Sequence, residues 1–343
     1  MPKRRVNVPS SGRVAELDIV SYGRRGRHTP LQFTSAQIEQ VERTARGVPE
    51  VMIKVSGGKN AEAVRAHLAY IDRHGKLEVH TDDGQQFQGK AVAAFLVDDW
   101  NLDVAKGQYQ LASKAGEKDR RPKQVYNVVF SMPAGTPPEK LLSATQKFAR
   151  EKFALQHRYA MVLHTDQQHP HVHLVLKAVS EQGERLYIRK ATLRQWREDF
   201  ASYLRELGVP ANATPTALRG KPKTWKQDGI YRALKRGQST FMRLKAESVA
   251  EELRRGQLAP EAGRTLLLAT RARVVEDWKA TAAVLQVHGQ KNLAGDVEAF
   301  IGKMPAVATE KEALAKGLLT QLTVQRARRR GAERDPSISD PVR

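Results

Sequence analysis

The sequence predicts an α+β fold, an antiparallel-rich central sheet flanked by helices and followed by a basic helical C-terminal region. Three observations carry this expectation. Between 50 and 220 the pattern runs strand, helix, strand, helix, strand, strand, helix. The last two strands are separated only by the tight Gln167-Gln168-His169-Pro170 connection. Beyond about 221 the periodicity is helical and the composition basic to the end.

The elements follow in order. Residues 1–49 form a basic, partly disordered arm, rich in turn signals such as Pro2, Pro9, Gly12 and the run Tyr22 to His28. Val51 to Val55 has strand composition, and Ser56 to Asn60 signals a turn or a helix entry. Ala61 to Arg73 places Ala61, Val64, Leu68 and Ile71 on one helical face and stops at His74-Gly75, with Gly75 as a C-cap glycine. Residues 80–124 carry two acidic clusters and Gly-rich turns. Val125 to Phe130 is the next strand, and it runs into Ser131-Met-Pro-Ala-Gly135. A helix over Pro137 to Phe153 is entered through two prolines. Strands over Tyr159–Asp166 and His171–Val179 precede a helix over Ala191–Leu207 that ends at Gly208. The chain therefore divides into the arm, a catalytic domain over 50–220, a basic helical accessory region for DNA or partners over 221–325, and a disordered Arg-rich tail over 326–343. No internal repeat is present.

The 343 residues hold 58 Lys and Arg against 37 Asp and Glu, a formal charge of +21. Such an excess repels itself unless it meets a polyanion, so nucleic acid leads and an anionic membrane surface follows. With no cysteine, a disulfide framework, a thiolate zinc finger and a cysteine nucleophile are all excluded. No apolar run approaches a membrane span and the first residues lack a signal-peptide core, so the expectation is a cytoplasmic protein without membrane insertion. Residues 184–245 concentrate the charge, with fifteen Lys and Arg against five acids. Trp196, Phe200 and Tyr203 sit at helical core spacing and are assigned to packing. Arg219, Lys221, Lys223, Trp225 and Lys226 look like a DNA-facing loop, where cations hold the backbone and an aromatic stacks on bases.

Four of the ten histidines fall in His164-Thr-Asp166-Gln-Gln-His169-Pro-His171-Val-His173. Side chains at i and i+2 of a strand share a face, so His164 pairs with Asp166 and His171 with His173. If the two strands pair, three imidazoles converge on one point and leave coordination positions open for a substrate. Asp166 is either a ligand or an acceptor that fixes an imidazole tautomer, and His169 is the member closest to a plain turn residue. Three imidazoles favour zinc-like ions, whereas phosphate oxygens and a carboxylate suit magnesium or manganese. Tyr70 lies at the edge of the apolar face of its helix, and pattern alone assigns it no function.

Three motifs occur in a familiar order: Ala69-Tyr70-Ile71-x-Arg73-x-Gly75-Lys-Leu77, Val128-x-Phe130-Ser131-Met-Pro-Ala-Gly135, and His164-x-Asp166-x-x-His169-Pro-His171-x-His173. Over about residues 50–220 the set resembles the mobilisation relaxases of plasmids and integrative elements. The likeness is greatest to the MOBP family, which includes the agrobacterial T-DNA border endonuclease. The resemblance implies a relaxase-like palm and a metal-dependent single-strand nickase of the His-hydrophobic-His class. It implies Tyr70 as the nucleophile that becomes joined to DNA, Ser131 as a residue holding DNA near the cleavage site, His164, His171 and His173 as metal ligands, and Asp166 as the adjacent acid. It further implies Mg²⁺ or Mn²⁺, origin DNA in single-stranded form, relaxosome accessory proteins and a type IV coupling protein. The chain departs from the family in its N-terminal arm, in residues 80–124 and after 221. Two other classes stay open at this point, a metal-dependent nuclease that uses water and a basic DNA-binding protein whose histidines hold structural zinc.

Overall fold

A computed structural model describes residues 33–58, 60–102, 122–221, 233 and 236–333. Among these, six strands form one sheet: β1 (Met52–Val55), β2 (Val79–Thr81), β3 (Gln86–Phe87), β4 (Val125–Ser131), β5 (Tyr159–His164) and β6 (His171–Lys177). The order is β1-β4-β6-β5-β2-β3, and every pairing of neighbours is antiparallel. The mixed fold with an antiparallel sheet is the one the sequence predicts. Both central strands, β5 and β6, are largely buried on both faces because helices cover both.

One face carries α4 (Pro138–Phe153) and α5 (Lys190–Glu206), as expected from the paired prolines and the helical spacing of Trp196, Phe200 and Tyr203. Phe148 packs on Phe130 at 5.0 Å and on Trp196 at 5.7 Å between ring centroids, near the edge-on geometry aromatic pairs favour. The opposite face is covered by α2 (Ala61–Ile71) and α3 (Val92–Asp99), whose Val64, Leu68, Ile71 and Val97 bury against Ala160, Val162 and Val175.

The start of α2 is fixed by Asn60, whose side chain accepts from the Ala63 amide at 2.7 Å. Its end comes earlier than predicted. Asp72 caps it, and Arg73 and His74 both adopt left-handed backbone, with φ of 56° and 58°. Gly75, at φ 83°, is more than a helix stop, because a Cβ there would lie 2.3 Å from the Gly89 carbonyl carbon.

Other expectations also shift. β5 stops at His164 and β6 at Lys177, shorter than the predicted strands. Residues 80–102, expected as part of an irregular stretch, supply the β2–β3 hairpin and α3. Within the stretch expected as an arm, Ser35–Ala45 is a helix, α1, while 1–32 lie outside the described residues. The compact unit holding the sheet spans Glu39–Thr214 rather than 50–220.

A second unit comprises 33–38 and, from Pro215 on, the helices α6 (Thr240–Arg254), α7 (Arg264–Val287), α8 (Lys291–Gly302) and α9 (Glu310–Glu333). Residues 215–220 belong here: the fully buried Trp278 donates its indole N–H to the Leu218 carbonyl at 2.7 Å. α9 carries regular helix past Arg326 into the expected tail, of which 334–343 lie outside the described residues. No helix among the described residues is long and apolar enough to cross a membrane.

Candidate active site

The antiparallel register sets His164 directly opposite His171, and Val162 opposite His173. Alternation then places all three imidazoles on the face that α2 and α3 cover. Their ring centroids are 5.0 Å (164–171), 4.6 Å (164–173) and 5.1 Å (171–173) apart. One nitrogen from each lies within 4.8 Å of the others, and no other described residues form such a metal-sized group.

Hydrogen bonds orient the rings. His171 Nδ1–H donates to the His169 carbonyl at 3.0 Å, which leaves Nε2 free to ligate. His164 Nε2–H donates to the Ile71 carbonyl at 2.6 Å, so its Nδ1 holds the lone pair. That carbonyl lies at the C-terminus of α2, where carbonyls lack helical partners, so a helix end sets the tautomer of His164. His173 Nδ1 is buried without a hydrogen-bond partner. Burial, followed by the two neighbouring imidazoles, pushes the pKa of His173 down to about 3, and burial lowers that of His164 as well. Three convergent imidazoles, each able to turn a ring nitrogen to one point, are the donor set a divalent cation needs, so the residues fit the metal the sequence implied.

Tyr70 stands on the last turn of α2, away from the buried stripe and 58% exposed. The Arg73 guanidinium carbon lies 5.2 Å from its ring centroid. Ser131 ends β4 in register with His171, and its hydroxyl donates to the Pro170 carbonyl at 3.3 Å. His169 is a turn residue: its Nδ1 accepts from the Ala134 amide at 3.1 Å, pinning the turn after Ser131 to the β5–β6 connection.

Asp166 lies beyond the end of β5, is exposed, and is not part of the metal-sized group. Its Oδ2 instead accepts from Arg73 Nη2 at 2.7 Å, a bond that holds its carboxyl below the usual carboxylate range. Arg73 Nη2 also lies 3.2 Å from His164 Nδ1, so Asp166 meets the cluster through Arg73.

Two site residues carried no assignment from sequence. Arg73 stood inside a quoted motif without a role. His67, one turn before Tyr70 on α2, has its ring 6.1 Å from that of His173, a buried Nε2 without a partner, and a pKa lowered by burial. Its i−3 spacing from Tyr70 was the available signal. Of the expected DNA contacts, Lys221 is exposed and Arg219 is half-buried with Nη2 donating to Thr216 Oγ1 at 3.2 Å. Both sit in the second unit, while Lys223, Trp225 and Lys226 lie outside the described residues.

Residues 80–209 match the family described as Relaxase: MobA/VirD2-like, nuclease domain. The match takes in Ser131 and the histidine cluster, and Tyr70 precedes it. The chain is similar to the T-DNA border endonuclease VirD2 of Agrobacterium fabrum, at 25% identity over 57% of this chain and 46% of the relative. It is similar also to VirD2 of Rhizobium rhizogenes, at 25% identity over 37% of this chain and 30% of the relative. The chain thus spans less than half the length of these relatives. A solved structure titled "Molecular Basis of Vancomycin Resistance Transfer in Staphylococcus aureus" aligns with 48% of this chain and 99% of its own, at 11% identity and a TM-score of 0.33.

Proposed function

We propose that this chain, which belongs over residues 80–209 to the MobA/VirD2-like relaxase nucleases, nicks one DNA strand at a transfer origin and keeps the cut end on Tyr70. The observation that carries the reading is the bond between the helix bearing the tyrosine and the histidine cluster, from His164 Nε2 to the Ile71 carbonyl at 2.6 Å. It fixes the last turn of α2, where Tyr70 is exposed, against the one group of described residues built to hold a cation.

His164 Nδ1, His171 Nε2 and a nitrogen of His173 would hold the ion, Mg²⁺ or Mn²⁺ by family resemblance. When bound, it supplies charge neutralisation at a phosphodiester whose own oxygens repel a nucleophile. The Tyr70 phenolic oxygen attacks phosphorus and loses its proton. The P–O3′ bond breaks, the 3′ oxygen leaves as a hydroxyl, and the 5′ phosphate stays on the tyrosine. One phosphodiester replaces another, so rejoining needs no ATP. Ser131 would steady the strand near the cut, a role its pairing with His171 supports. Transfer of the bound strand from the cytoplasm with relaxosome proteins and a type IV coupling protein belongs to the same proposal.

The test uses the full chain, Mn²⁺ or Mg²⁺, and labelled origin oligonucleotides. Wild type yields a denaturant-stable adduct that maps to Tyr70. Tyr70→Phe yields none and binds single strands as wild type does. Cleavage without an adduct would assign the attack to water, and an adduct in Tyr70→Phe at Tyr22 or Tyr126 would move the nucleophile.

A further inference from the structure

We propose that Arg73 competes with the divalent cation for one nitrogen, His164 Nδ1, and so acts as a positioning residue that couples ion entry to Tyr70. The inference rests on the metal reading above and extends it to a residue with no assigned role. His164 has two ring nitrogens, and one is already committed: Nε2–H donates to the Ile71 carbonyl at 2.6 Å. The lone pair on Nδ1 is the only one His164 can offer a cation. Arg73 Nη2 lies 3.2 Å from that nitrogen and donates to it. A guanidinium carries no lone pair and a fixed positive charge, so it cannot share an acceptor with a metal ion.

Several features hold Arg73 in that place. Asp166 Oδ2 accepts from the same Nη2 at 2.7 Å, and Nη1 donates to the Tyr70 carbonyl at 3.1 Å. The guanidinium carbon stands 5.2 Å from the centre of the Tyr70 ring. The backbone is bent to bring it there, since Arg73 and His74 both hold positive φ, at 56° and 58°. Left-handed backbone at a non-glycine residue is costly and tends to persist where a site needs it. When an ion takes His164 Nδ1, Arg73 must move Nη2 off that nitrogen while Asp166 and the Tyr70 carbonyl keep the group tethered. The freed donor then lies beside the exposed tyrosine, where an anionic phosphate would arrive.

The experiment is calorimetric titration of the full chain with Mn²⁺ alone, without DNA. Arg73→Gln removes the charge at similar length, and Arg73→Gly relaxes the left-handed backbone. Both should bind Mn²⁺ about tenfold more tightly than wild type, because a charge-assisted hydrogen bond no longer competes. An arginine that merely capped α2 would give the opposite sign, since its loss would loosen the ligand. Unchanged or weaker affinity in both folded variants overturns the proposal. A second measurement needs only wild type: the Arg73 side-chain nitrogen resonances and the His164 Nδ1 resonance should shift together on titration with diamagnetic Zn²⁺. Movement of His164 with Arg73 unmoved also overturns it. If wild type binds neither ion, the metal centre itself is wrong, a failure distinct from affinity that is measurable but indifferent to Arg73.

Discussion

Acid should destabilise this protein through His173, and the size of the effect follows from its burial. The folded pKa of about 3 lies below the ordinary imidazole value of 6.5, so the unfolded chain binds a proton the native site refuses. The sign follows directly. The contribution to stability is complete above pH 6.5 and is lost as pH falls from there toward 3. Between pH 7.5 and pH 5 the unfolded imidazole becomes nearly fully protonated while the folded one stays neutral, which corresponds to about 2 kcal/mol. The perturbation is therefore a drop to pH 5 in chelator, with His173→Gln as the partner that removes the titrating ring at similar size. Urea unfolding at both pH values gives four stabilities. The acid loss in wild type should exceed that in His173→Gln by about 2 kcal/mol. Equal losses would mean that His173 titrates normally in the folded protein and that the cluster is open to water. The same refusal of a proton means that cation binding at pH 5.5 draws none from His173, so calorimetry in buffers of differing ionisation heat should report at most two protons released. Three would refute the argument independently.

Three further outcomes are expected. His171→Ala should weaken Mn²⁺ binding more than about a hundredfold, beyond what loss of a supporting group produces, while Asp166→Asn stays within about tenfold because its carboxylate reaches the ligands only through Arg73; calorimetry checks both. Changing Lys221, Lys223 and Lys226 together to Ala should weaken oligonucleotide binding at every sequence and lower the slope of log affinity on log salt by about 2, from three phosphate contacts on single strands. Cleavage at saturating DNA should survive that change. Gly75→Ala should cost at least about 2 kcal/mol in urea unfolding, combining left-handed backbone at a non-glycine residue with a Cβ driven into Gly89; a cost below 1 would show that the Gly75–Gly89 approach relaxes freely.

What sequence disclosed was decided by how local the signal was. The β5–β6 hairpin and its three histidines were legible because period-2 spacing, a short connection and Pro170 all act within ten residues of one another. The buried stripe of α2 was legible for the same reason, with one apolar residue per turn. The β2–β3 hairpin was not, because strands of three and two residues hold too few positions to display an alternation. α3 escaped because its eight residues are apolar nearly all round, Phe95 on the exposed side included, which erases the helical period. The end of β5 reads two residues too late from sequence, at Asp166, because the turn residues after His164 carry no strong stop signal. The role of Arg73 could not be found in sequence at all: its partners His164 and Asp166 are 91 and 93 positions away, and two left-handed residues aim it at them.

The end of α2 is the joint at which these long-range contacts meet. A helix terminus leaves carbonyls without partners, and a buried imidazole needs an acceptor to fix its tautomer. Ile71 and His164 answer both needs with one bond. The residue before Ile71 is the tyrosine, and two after it is the arginine that reaches the freed nitrogen of the same imidazole. The exposed tyrosine, the tautomer of His164 and the arginine beside it thus all depend on four consecutive backbone positions, 70 to 73, whose geometry is anchored below by Leu68 and Ile71 in the core. A shift of that turn moves Tyr70 and the lone pair of His164 together, which under the proposed function would keep the attacking oxygen in registration with the ion. The turn is accordingly packed beneath and exposed above, and left-handed backbone falls at Arg73 and His74, directly after it.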